Sequence, residues 1–378
     1  MALGTLKQMK AHLLKEFRIA PEKSRINLYK MPDWQQFSSE KGLPIGTVGV
    51  YYPRDLSAHL LYLPECPRLG TLTLFHEYFG HGLWTEHTPS GQEKTRLEQK
   101  LLNEERSAHV TKRNLRSFRE SSKTYKELLR LHTATRPYNE GFALWMEHYL
   151  SSVTGDQEMF LRKLEMLPNE MKGLCARFVD YQSDFGEHAL LYSCGFPKHY
   201  DSRILEGMLR KLFRAEFDSA RLALVYGSRN PRSDIDIFIV SDKIPCSYYG
   251  WLDIYSVTEN DFQKLAMNLD ISVTDPLFSG GFISGDREYM EHARKAVLGT
   301  PVTYGKVRHN LESAKNARRK AAENRSNPAK YSNAMMYEKS YFANAQELLK
   351  GRKALTLKNL ISSRPEDFRE VHDNKYKQ

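Results

Sequence analysis

Residues 222–241 read LALVYGSRNPRSDIDIFIVS, and this stretch decides how the centre of the chain folds. A short apolar run ends at Gly227-Ser228, five residues follow, and a second run opens with Asp234-Ile235-Asp236. Runs rich in β-branched and aromatic residues, bounded by Gly, Asn, Pro and Ser, read as strands joined by a turn. Side chains alternate along a strand, so Asp234 and Asp236 share one face while Ile235, Ile237 and Ile239 point into a core. A third strand-like run, WLDIYSV (251–257), carries Asp253, and an amphipathic helix pattern, SRILEGMLRKLFRAEF (202–217), precedes all three. Strands interleaved with helices make residues 201–300 a small α/β unit.

Two carboxylates side by side repel, and a half-buried pair needs a cation between them. Mg²⁺ suits hard oxygen ligands and accompanies triphosphates, so Asp234, Asp236 and Asp253 are candidate Mg²⁺ ligands. Asp253 can complete a two-metal set or take the proton from an acceptor hydroxyl. Gly227 lets backbone approach phosphate oxygens, and Ser228 can donate to them. Arg229, Arg232 and Lys243 are candidate cations for phosphate charge.

Working outward toward the N-terminus, GTVGVYYP (46–53) and AHLLYLP (58–64) read as a strand pair, with Arg54-Asp55-Leu56-Ser57 as its turn. Residues 71–84, TLTLFHEYFGHGLW, then place His76 and Glu77 ahead of His81. Two imidazoles with an adjacent glutamate are a metal-hydrolase pattern: the rings hold Zn²⁺ and Glu77 acts as general base on water. The histidines are five apart rather than four. On an ideal α-helix five steps turn about 500°, leaving the rings roughly 140° apart. They converge only through a π-bulge or a break at Gly80.

The third ligand is expected from NEGFALWMEHYL (139–150), with Glu140 as the first choice. Glu147 lies two turns further on the same face, so that one carboxylate can bind metal while the other orients a histidine. Glu104 and Glu105 are the alternatives. A polar helix is expected from about Glu93 to His132, broken at Arg136-Pro137-Tyr138-Asn139, with Asn139 capping a new helix. Tyr138 and Tyr149 flank that helix, as packing aromatics or oxyanion donors.

Two resemblances rest on these residues. His76-Glu77-Tyr78-Phe79-Gly80-His81 with Glu140-Gly141-Phe142-Ala143 resembles the HExxxH…EGxA arrangement of gluzincin-type zinc metallopeptidases, including the tyrosine carboxypeptidases. That resemblance implies His76, His81 and Glu140 as zinc ligands, Glu77 as base, and a peptide or protein substrate. Val225-Tyr226-Gly227-Ser228, Ser233-Asp234-Ile235-Asp236-Ile237 and Asp253 resemble the signature of the DNA polymerase β nucleotidyltransferase superfamily. Minimal and aminoglycoside nucleotidyltransferases are nearest in style, although the five-residue loop between Ser228 and Asp234 is shorter than theirs. This second resemblance implies transfer of NMP from an NTP to an acceptor hydroxyl with Mg²⁺.

The expected fold is α+β and multidomain. Residues 1–200 form a mainly helical zincin-like domain with a short sheet, 201–300 the α/β nucleotidyltransferase domain, and 301–378 a basic helical tail. A length of 378 residues suits two or three domains. The tail holds 17 Lys and Arg against 8 Asp and Glu, nearly all of the chain's net +10, and RNA is its expected partner. Asn327-Pro328 reads as a cap and first helical residue there, and Gly351 as a stop. The Gly-rich segment 278–286 reads as a loop, and the polar positions around 187–199 as surface or satisfied core. Cys66, Cys175, Cys194 and Cys246 form no CxxC pair, which argues against a disulfide scaffold and for a reducing cytoplasm. No apolar run reaches the roughly 18 residues of a membrane span, and MALGTLKQMKAHLLKEF has no signal-peptide core. The competing expectation is a non-catalytic, antitoxin-like regulator with both sites degenerate.

Overall fold

Period-two patterning places β-strands where the apolar runs fall, and the computed structural model pairs them into two separate sheets. It describes residues 3–111, 113–228, 230–366 and 368. The chain divides into two compact units, Met1–Pro197 and Lys198–Gln378, within a mainly helical α+β architecture.

The first unit runs α1 (Leu3–Phe17), β1 (Arg25–Tyr29), α2 (Met31–Lys41), β2 (Gly49–Tyr52), β3 (Ser57–Leu61), α3 (Pro67–Leu74) and then a π-helical turn, Phe75–His81. It continues with α4 (Gly82–His87), α5 (Pro89–Ser107), α6 (Leu115–Ser121), α7 (Lys123–Thr154), α8 (Gln157–Met166), α9 (Asn169–Phe185) and α10 (Glu187–Ser193). Its sheet has the order β1-β3-β2, parallel then antiparallel, so β2 is an edge strand. The β2–β3 connection is a 3₁₀ turn at Pro53–Asp55 followed by Leu56 at φ 46°. Strand β1 had no counterpart in the sequence patterning, because RINLY is short and its exposure does not alternate.

Two expectations about this unit need correcting. The helix does not break at Arg136–Asn139: α7 runs straight through Pro137. A proline removes one helical hydrogen bond, at a cost of about 3 kcal/mol. Here Arg136, Pro137 and Tyr138 are exposed, so water can satisfy the freed carbonyl. The next two turns bury Phe142, Ala143, Leu144, Trp145 and Met146. At about 1.5–3 kcal/mol per large apolar side chain, that packing outweighs the proline. Nor is there one helix over 93–132. α5 ends at Ser107 and α6 at Ser121, and the extended Ser122 caps α7 by accepting from the Tyr125 N–H.

The second unit begins with α11 (Ser202–Phe213), α12 (Ala215–Asp218), β4 (Leu222–Tyr226), β5 (Ile235–Val240), β6 (Ser247–Tyr248) and β7 (Leu252–Val257). Then come α13 (Glu259–Met267), α14 (Ile271–Ser279), β8 (Gly281–Gly285), α15 (Arg287–Gly299), α16 (Tyr304–Glu323), α17 (Pro328–Leu349) and α18 (Leu357–Ser363). The sheet order is β6-β7-β5-β4-β8, with β5 and β7 parallel and the other pairs antiparallel. The Gly-rich segment expected as a loop is strand β8, recruited because β4 would otherwise leave its outer backbone groups unpaired.

One sheet face carries Leu222, Leu224, Phe238, Val240 and Val257, packed in one core with Val307 of α16 and Ala345 and Leu348 of α17. A polar seam holds the same helices. Asn344 Nδ2 donates to the Leu269 carbonyl at 2.8 Å and to Asn310 Oδ1 at 3.0 Å, and His309 Nε2 meets Asp270 Oδ2 at 2.8 Å. No helix among the described residues is long and apolar enough to cross a membrane.

Candidate functional site

Among the described residues each unit brings one set of metal-ligating side chains together: His76, His81 and Glu140 in the first, Asp234, Asp236 and Asp253 in the second. Within each set the ligand atoms lie within 4.8 Å of one another.

In the first unit the five-residue spacing is resolved by the π-helical turn. The Gly82 N–H bonds to the Glu77 carbonyl, five residues back, which winds the turn wide enough to bring His81 beside His76. The rings stand 4.9 Å apart and nearly perpendicular. Their Nε2 atoms lie 3.9 Å and 3.8 Å from the same Glu140 oxygen, Oε2. Gly80 makes this possible, since a Cβ there would stand 2.6 Å from Ala143 Cα on α7. Gly80→Ala should therefore lower the melting temperature. Overpacking costs about 1–3 kcal/mol, against at most about 1 kcal/mol gained in helix propensity. A rise in thermal denaturation would rule out this close approach.

Behind the cluster each histidine's Nδ1 approaches a polar side chain. His81 Nδ1 donates to Asn139 Oδ1 at 3.0 Å. His76 Nδ1 lies 3.2 Å from Glu147 Oε2, off the line of a well-formed hydrogen bond, and neither atom has another hydrogen-bond partner. Glu147 is 0 % exposed and its other oxygen accepts from Lys163 Nζ at 2.6 Å. Burial opposes its charge, but His76 and Lys163 outweigh burial and hold the carboxyl below its ordinary range. Burial likewise opposes protonation of His76, while Glu147 and then Glu77 carry its pKa upward. For Glu140, burial is outweighed by His81, His76, Arg136 and Lys94, and the carboxyl is held down. Each ring turns Nδ1 toward a backing side chain and Nε2 toward Glu140, the orientation that backing carboxylate and amide groups impose on zinc-binding histidines. Two imidazole nitrogens and a carboxylate suit Zn²⁺ with an open position.

Glu77 is half-buried beside β2, so close that a Cβ on Gly49 would stand 2.9 Å from its Cγ. The alternatives Glu104 and Glu105 are not brought to the cluster. Glu104 accepts from Thr124 Oγ1 at 2.6 Å and Ser122 Oγ at 3.1 Å, and Glu105 pairs with Arg119 at 2.7 Å. They sit in the last turn of α5 and tie it to the chain that follows. Asn139 is no helix cap, because α7 is continuous and its side chain is spent on His81. Tyr138 is exposed, and Tyr149 meets His12 Nε2 at 2.9 Å.

In the second unit the strand register builds a row across the sheet. Tyr226 of β4 stands opposite Asp236 of β5, Asp236 opposite Asp253 of β7, and Asp253 opposite Tyr248 of β6. Directly opposed residues share a face, at strand spacings of about 4.8 Å. Asp234 joins the row one residue before β5. Gly227 has φ 73°, and a Cβ there would collide with Asp236 Oδ2, so the turn after β4 passes directly over a carboxylate. The surplus negative charge is felt around the row. Burial and then Asp234 push the Asp253 carboxyl up. Burial, Tyr337, Asp236 and Asp253 push the Tyr226 phenol well up. Tyr337 of α17 lies near the row, and its phenol is pushed up by burial and by the charges of Asp253 and Asp236. Three clustered oxygen donors suit Mg²⁺.

The loop after Gly227 is short and cross-braced. Ser233 Oγ donates to the Ser228 carbonyl at 3.1 Å, and Tyr200 Oη donates to the carbonyls of Ser228 and Asn230 at 3.3 Å and 2.9 Å. Ser228 and Arg232 sit exposed on this loop, and Arg229 lies outside the described residues. Lys243 is not brought to the carboxylates. It follows the far end of β5, and the four steps from Asp236 to Val240 alone span about 13 Å.

Sequence reasoning overlooked several partners of these sites: Asn139, Lys94 and Lys163 in the first unit, and Lys198, Tyr248 and Tyr337 in the second. Asn139 had a signal, its place beside Glu140 on a helix. Tyr248 could be found only from the register of β6.

No protein-family model matches the chain, and none of the curated proteins matches it. Among solved structures it is similar to a nucleotidyltransferase-like protein from Exiguobacterium sibiricum 255-15, at 13 % identity and a TM-score of 0.26. The match covers 45 % of this chain and 65 % of that one, just under two thirds of the neighbour's length.

Proposed function

We propose that the second unit transfers a nucleoside monophosphate from an NTP to an acceptor hydroxyl. The observation that carries this is the carboxylate cluster: Asp236 and Asp253 are paired on adjacent parallel strands, Asp234 lies one residue before the first of these, and Gly227 passes over Asp236. Mg²⁺ bound there would offset phosphate charge and steady the triphosphate. Gly227 and Ser228 would offer the backbone and hydroxyl that meet phosphate oxygens, and Arg232 would supply positive charge. Asp253, whose carboxyl is already pushed up, is suited to take the acceptor's proton. The acceptor oxygen then bonds to the α-phosphorus, the bond from that phosphorus to the β-phosphate bridge breaks, and pyrophosphate leaves with the electron pair.

The test follows α-labelled NTPs with Mg²⁺ and a cell extract as acceptor source. Label moving into RNA, protein or a small molecule, with pyrophosphate release, is the expected result. Absence of Mg²⁺-dependent binding of all four common NTPs would overturn the reading and favour a degenerate, regulatory chain.

The π-helical convergence of His76, His81 and Glu140 favours a second reading for the first unit, a zinc-dependent peptidase. Zn²⁺ there would supply Lewis acidity toward water and the scissile carbonyl. Glu77 would take a proton from the attacking water and return it to the leaving amine. The edge strand β2, passing Glu77 at Gly49, offers unpaired backbone for an extended peptide to lie against.

A further inference from the structure

Lys198 is only 7 % exposed, the sole lysine among the buried polar residues that the structure describes. Among the described residues its ammonium has no hydrogen bond and no ion pair. A lysine with so little exposed surface and no counter-ion holds a poorly solvated ammonium, which costs free energy unless an anion meets it. Its surroundings say which anion. The Lys198 N–H donates to the Pro231 carbonyl at 3.0 Å, stitching this segment to the loop between β4 and β5. Two residues on, Tyr200 clamps the same loop at Ser228 and Asn230. Burial pulls the ammonium below the usual lysine range, and the negative charge of Asp234, one of the three clustered carboxylates, offsets part of that. Lys198 thus sits where the Gly227–Ser233 turn meets the carboxylate row, whereas Lys243 follows the far end of β5.

We propose that Lys198 is the triphosphate-binding cation of the second unit, contacting the β- and γ-phosphates of the NTP beside the carboxylate row. The inference rests on the nucleotidyltransferase reading and adds to it a binding residue from outside the strand–turn–strand motif. Burial keeps the ammonium poorly solvated, so a charge-assisted contact to phosphate gains more there than at an exposed lysine.

The test uses the full chain as wild type, Lys198→Met, Lys198→Arg and Asp236→Asn. Each is titrated with Mg²⁺ plus inorganic tripolyphosphate, and with Mg²⁺ plus each of the four NTPs. Without ligand, Lys198→Met should melt at or above wild type, because a neutral side chain of similar length replaces a buried charge. Its affinity for tripolyphosphate and for the NTP should fall by roughly 10- to 100-fold, with Lys198→Arg between the two. NTP affinity unchanged in Lys198→Met but weakened in Asp236→Asn would overturn the inference and leave the nucleotidyltransferase reading standing. A Lys198→Met chain that melts well below wild type would also overturn it, assigning the residue to the fold. Wild type binding neither tripolyphosphate nor any NTP would remove the reading and the inference together.

Discussion

Asp236→Asn should lower nucleotidyl transfer by about a thousandfold or more while leaving the fold intact. Asp236 is the middle of the row, with Tyr226 on one side and Asp253 on the other, and its Oδ2 lies directly under Gly227. Asparagine has the same shape but offers one neutral oxygen in place of a carboxylate. Losing charge stabilisation of several kcal/mol at tenfold per 1.36 kcal/mol gives an effect of this size. Stability should hold or rise, because the substitution relieves repulsion among three clustered carboxylates. The measurement is pyrophosphate release at saturating NTP, together with a thermal melt. Turnover within tenfold of wild type would remove Asp236 from the chemistry.

A second large effect is expected in the first unit, where two substitutions should separate binding from catalysis. Glu77→Gln should retain about one zinc per chain and lose peptide hydrolysis by roughly 10²–10⁴-fold, the range for a general base. Glu140→Gln should lose the zinc itself, since Glu140 Oε2 is the oxygen facing both Nε2 atoms. Metal content by atomic emission and cleavage of a mixed peptide library read the two effects apart. Wild type that folds without zinc would reduce the first unit to a scaffold. Glu77→Gln cleaving as fast as wild type would give the base role to another group.

Much of this was legible from local rules. Strand alternation put Asp234 and Asp236 on one face and the isoleucines on the other, because a strand's period is two whatever it packs against. Helix geometry already required something other than an α-turn between His76 and His81. Sequence could not choose between a π-bulge and a break at Gly80, since that choice depends on how closely Ala143 of a distant helix approaches. Proline chemistry alone pointed to a break at Pro137. The apolar face from Phe142 to Met146 overrode it, an energy term that exists only once the partner helices are in position.

The same division holds for the charges. The sequence by itself determined which residues could carry chemistry, where β2, β3, β4, β5 and β7 fall, and that the net positive charge resides after Pro301. Each of these follows from side-chain identity and spacing within a few residues. Only the tertiary structure decided that α16 and α17 share a core with the sheet, that Tyr337 lies near the carboxylates, and that Glu147 with Lys163 backs His76. It alone buried Lys198 against the loop after Gly227. Those facts depend on contacts between elements far apart in the chain, where burial and sheet register, not local propensity, select which polar groups meet.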